Sequence, residues 1–84
     1  MAQKDFIHVL ARMDKMIRMR STGSPEDFAG RLYISERSLY NYLAVMKELG
    51  APVRYSRISE SYYYSDEGRF VFEFEKQFDL NYAS

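Results

Sequence analysis

At Gly50-Ala51-Pro52 the hydrophobic period of this chain changes, and that change constrains the fold more than any other feature. Before it, apolar residues recur every three to four positions; after it, they alternate. A glycine that can take a left-handed cap, followed by a proline, ends a helix and prevents its resumption. The order predicted is therefore helices first and an antiparallel sheet second, an α+β arrangement. Eighty-four residues fit a single domain, 1–84, with a small core.

Phe6, Leu10, Met13 and Ile17, with Ile7, Val9 and Met16 beside them, predict a helix over about 4–20. Arg12, Lys15, Arg18 and Arg20 crowd its second half, where cations suit the negative end of the helix dipole. Ser24-Pro25-Glu26-Asp27 then reads as a cap, a first-turn proline and two first-turn acids, opening a helix over about 25–33 with Phe28, Ala29 and Leu32 inward. Ser35 is a second cap and starts a helix over about 36–49. Leu39, Tyr42, Leu43, Met46 and Leu49 share one side of it, and Arg37, Asn41, Ala44 and Glu48 the other. Met13, Met16, Met19 and Met46 read as core fillers. Strands are predicted over about 53–57, 62–65 and 69–75, the last two joined by an Asp66-Glu67-Gly68 turn. Phe70, Phe72 and Phe74 alternate with Val71, Glu73 and Glu75, so the expected sheet has three antiparallel strands.

The chain has no cysteine and one histidine, which excludes a disulfide framework and a Cys/His metal site. It shows no phosphate-binding glycine loop and no nucleophile motif, and solvation explains Glu73 and Glu75 on an alternating strand. Neither an enzyme nor a cofactor is expected. The longest aliphatic run, Leu43 to Met46, is far short of the roughly 20 residues that span a bilayer. The N-terminus is charged throughout and has no apolar signal core, so a cytoplasmic location is expected and no membrane partner.

Helix, helix, tight turn, helix and hairpin is the order of a winged helix-turn-helix. The run Phe28-Ala29-Gly30-Arg31-Leu32-Tyr33-Ile34-Ser35-Glu36-Arg37-Ser38-Leu39-Tyr40-Asn41-Tyr42-Leu43, followed by Met46-Lys47-Glu48-Leu49-Gly50-Ala51-Pro52-Val53, resembles the helix-turn-helix at the front of WYL-domain and DeoR-type transcriptional regulators. The resemblance covers about half the chain. It rests on Ala29, Leu32, Ile34, Ser35, Arg37, Ser38, Leu39 and the Leu49-Gly50-Ala51-Pro52 ending. It implies a DNA-binding domain of a transcriptional regulator. Three departures stand out. The family's turn glycine is Tyr33 here, so a left-handed backbone there would carry about 1 to 2 kcal/mol of strain. A family Arg-Asp pair is replaced by Asn41-Tyr42, removing a charge from the recognition helix. The chain also ends where those regulators begin their effector-sensing domain, so control by that route is not expected.

Independently of the family, a helix can enter the major groove when one face is free of core duty and carries side chains that pair with base edges. Arg37 can grip guanine O6 and N7, and Asn41 adenine N6 and N7. With Ser38 and Tyr40 they form the candidate base-reading set, the hydroxyls being suited to phosphate as well. Ser35, Arg31, Arg54 and Arg57 form the candidate DNA-backbone set. The net charge is zero, yet residues 1–59 hold 10 basic and 6 acidic side chains and residues 60–84 hold 2 and 6. That polarity fits oriented binding to a polyanion rather than binding by bulk charge. The expected function is sequence-specific binding of double-stranded DNA, by a small transcriptional regulator or an accessory protein of a mobile element. The competing reading is a protein-interaction or dimerisation module without DNA binding. In either case a homodimer could form through the first helix or through the Phe-rich strand and tail.

Overall fold

The computed structural model describes residues 5–72 and residue 74. Three helices, α1 (Asp5–Arg18), α2 (Pro25–Leu32) and α3 (Glu36–Glu48), precede a hairpin of β1 (Val53–Ser56) and β2 (Ser61–Tyr64). The strands are antiparallel, with Val53 opposite Tyr64, Arg54 opposite Tyr63, Tyr55 opposite Tyr62 and Ser56 opposite Ser61. The result is a small α+β fold with helices on one face of a two-stranded sheet. Among the described residues no helix is long and apolar enough to cross a membrane.

The core follows the helical spacing. Leu10, Met13 and Ile17 from α1, Phe28, Ala29 and Leu32 from α2, and Leu39, Leu43 and Met46 from α3 are buried together with Val53 and Tyr62 of the hairpin. Phe28 is fully enclosed, and its ring meets that of Tyr62 at 5.6 Å. Removing one such ring from water contributes about 2 to 3 kcal/mol. Met19 and Leu49, which the spacing assigns to the core, are exposed because each helix ends just before them.

Local chemistry sets the helix ends. Ser24 accepts from the Asp27 N–H at 3.2 Å while Asp27 accepts from the Ser24 N–H, closing a capping box. Gly23, with φ 75°, has no alternative, since a Cβ there would lie 2.8 Å from the Asp27 Cβ. Every helix then stops on a left-handed residue followed by a bond spanning five positions: Ser21 N–H to Met16, Ile34 N–H to Ala29, and Ala51 N–H to Met46. The left-handed residues are Arg20, Tyr33 and Gly50, so only one of the three is the expected glycine.

The expected strand over 69–75 is not seen: the sheet has two strands among the described residues, and residues 69–72 and 74 form none. Residues 73 and 75, like the tail from Phe78 to Ser84, lie outside the described residues. The physical reason is that the backbone donors are used elsewhere. The Tyr62 N–H, which a strand beside β2 would need, donates to Thr22 Oγ1 at 2.9 Å. The Thr22 N–H in turn donates to Ser61 Oγ at 3.2 Å, so the α1–α2 connection takes the place of a third strand at that edge. The Phe70 N–H goes to the Asp14 carboxylate at 3.2 Å. Phe70 and Phe72 do share a face, as their alternation predicts, and stack on each other at 5.6 Å against the core, whereas Phe74 is exposed.

Asp14 is 3% exposed and accepts three donors: Arg18 Nε at 3.0 Å, the Tyr64 hydroxyl at 2.7 Å and the Phe70 N–H. Buried charges are tolerated only when paired in this way. Asp14→Ala should cost about 3 kcal/mol in urea unfolding, because it strands donors from α1, β2 and the 70–72 segment at once. It should also open residues 66–72 to limited proteolysis. A loss below about 0.5 kcal/mol, the range of ordinary surface substitutions, would contradict this role.

Candidate nucleic-acid interface

On α3 the buried residues Leu39, Leu43 and Met46 leave Arg37, Asn41, Ala44 and Glu48 on the opposite, exposed side. Ala44 ends at its Cβ, so the middle of this stripe lets another surface approach the helix backbone closely. Two structures flank the stripe. On one side Phe6 of α1 stacks on Tyr42 at 5.5 Å, and Phe6, Ser38, Asn41, Tyr42 and Val45 line a groove of about 290 Å3. On the other, Glu36 and Tyr40 are close enough to Tyr62 of the hairpin to act on its phenol through space.

Arg37 and Asn41 are thus presented together with both side chains exposed. Tyr40 is about half exposed and close enough to Tyr62 to act on its phenol through space; Tyr62 meets the Tyr55 ring edge to face at 4.9 Å. Ser38 is half-buried. Its N–H donates to Ser35 Oγ at 3.0 Å, and the Ser35 hydroxyl donates to Ser38 Oγ at 3.1 Å. The Ser35 hydroxyl is therefore spent on the α3 cap, and the proton left over for an outside acceptor is that of Ser38.

The backbone candidates divide. Arg54 and Arg57 are exposed on β1 and in the hairpin turn, on either side of Tyr55. Arg31 is exposed but already engaged, its Nη1 donating to the Ser21 carbonyl at 2.6 Å, while Arg12 Nη2 donates to the Arg31 carbonyl at 3.2 Å. It ties the end of α1 to the end of α2.

Two features escape sequence reasoning. The Arg20 guanidinium lies 4.6 Å from the centre of the Tyr63 ring, a cation–π contact across 43 positions that no local pattern signals. The other is the edge-to-face pair of Tyr55 and Tyr62, which the strand register sets opposite each other. Among the described residues no group of acidic or histidine side chains is placed to hold a metal ion.

Burial, reinforced by the neighbouring Tyr40, Tyr55 and Glu36, pushes the Tyr62 phenol from 10.0 up to about 12. Tyr64 is raised as well, by burial and by the hydrogen bond it donates to Asp14. A phenol whose pKa is raised by folding stabilises the fold fully below the unfolded value, and that contribution is lost as pH climbs from about 10 through the folded value. Unfolding free energy should accordingly decline from pH 10 upward, with two tyrosines lagging in a phenolate absorbance titration, and Tyr62→Phe should flatten the decline. Simultaneous titration of every tyrosine near pH 10 in the folded protein would contradict the burial of these two. No family model, no curated protein and no solved structure matches the chain.

Proposed function

We propose that this chain is a winged helix-turn-helix domain that binds double-stranded DNA sequence-specifically, as a small transcriptional regulator or an accessory protein of a mobile element. The observation that carries the reading is the exposed Arg37–Asn41 stripe on α3, free of core duty and flanked by a hairpin bearing Arg54 and Arg57. In this reading α2 and α3, joined by Tyr33-Ile34-Ser35, are the helix-turn-helix and β1–β2 is the wing. Arg37 and Asn41 read base edges, with Ser38 and Tyr40 at the margins of the same surface. Arg54 and Arg57 contact phosphate, Arg31 and Ser35 mainly hold the helix ends in place, and no catalytic step or cofactor is involved. Pairing of two copies would extend the few base pairs one helix reads.

A second reading, a protein-interaction or dimerisation module, is favoured by the exposed Ile7, Leu49, Val71 and Phe74 side chains. Selection from a random duplex library at low salt separates the two: enrichment of a motif supports DNA reading, and none sinks it. On the enriched duplex Arg37→Ala should relax preference at one base pair and cost about 1 to 3 kcal/mol. Arg57→Ala should weaken all duplexes alike and reduce the salt slope by about 1. Equal, sequence-independent losses from both would remove Arg37 from base reading.

A further inference from the structure

Among the described residues, three other than glycine hold a left-handed backbone: Arg20 at φ 53°, Tyr33 at φ 59° and Glu60 at φ 52°. Two of them call for no partner beyond the fold. Arg20 offsets its strain by laying its guanidinium over Tyr63. Glu60 sits in the exposed hairpin turn, where a charged side chain keeps its water. Tyr33 has no such account. It is 88% exposed, and its ring is in none of the aromatic pairs among the described residues. Glycine would close the same turn without the Cβ clash. A bulky side chain that strains the backbone and stays this exposed among the described residues points to a contact beyond them.

We infer that Tyr33 is a further duplex-contacting residue, its phenol donating a hydrogen bond to a phosphate oxygen beside the bases faced by Arg37 and Asn41. This rests on the DNA-binding reading above. Tyr33 stands in the turn between α2 and α3, two positions after Arg31 and four before Arg37. Arg37 is exposed and draws phosphate toward the turn from which the phenol projects; Arg31, although engaged with the Ser21 carbonyl, leaves its positive charge beside the same turn. The hydroxyl end is the part able to act there, since a phosphate offers acceptors and the phenol supplies one donor.

A neutral phenol releases no counterion, which gives this contact a signature different from that of an arginine. The test uses the duplex enriched from the random library and a scrambled duplex of the same length. Tyr33→Gly should raise Tm by about 4 °C by relieving the backbone. It should at the same time weaken both duplexes about three- to tenfold, with the salt slope unchanged. Tyr33→Phe should keep the wild-type Tm and show the same loss of affinity. A raised Tm with unchanged affinity for both duplexes overturns the inference. Loss confined to the enriched duplex overturns the phosphate role in favour of base reading. If wild-type protein binds no duplex, the DNA reading falls and this inference with it; if Arg37→Ala relaxes preference while both Tyr33 variants bind normally, only the inference falls.

Discussion

The Asp14 carboxylate is the interaction on which the rest of the structure depends. An ionised carboxylate away from water costs several kcal/mol unless donors surround it, and here the donors come from three separate stretches of chain. Arg18 comes from the next turn of the same helix, Tyr64 from the end of β2, and the Phe70 N–H from the segment beyond the sheet. Satisfying one buried group thereby fixes where the hairpin ends against α1 and where the following residues run. It also turns those residues back over the helix, which seats Phe70 and Phe72 on the core.

A second polar cluster performs the corresponding task at the sheet edge. Thr22 and Ser61 are both buried, their hydroxyls 3.1 Å apart, and they exchange bonds with the backbone of residues 22 and 62. Side-chain hydroxyls here replace the regular ladder of a third strand. They satisfy backbone that would otherwise be buried unpaired or left as an open edge able to recruit another chain.

Much of this was legible, and what was not has a common cause. Caps at Ser24 and Ser35, the stop at Gly50 and the inward faces of three helices are decided within four or five residues, so local pattern reveals them. The exposed Arg37–Asn41 face follows from the same periodicity. The Phe70-Val71-Phe72 alternation misled because period two reports which side chains share a face, not whether a neighbouring backbone is free to pair. That depended on Thr22, some fifty positions earlier. Arg31 read as a free side chain for a similar reason: its partner, the Ser21 carbonyl ten positions earlier, becomes a neighbour only when the helix ends fold. The left-handed backbone at Tyr33 runs against its residue type, so no local propensity signals it.

The hairpin is clamped along its inner face by Val53 and Tyr62 and along the β2 edge by Thr22, while all four residues from Arg57 to Glu60 are exposed, Ile58 at 99%. It is mechanically a cantilever, rigid at the root and free at the tip. Lengthening that tip or changing its chemistry leaves the clamp and α3 untouched, so the reach of the domain beyond its helix can be retuned independently of its stability.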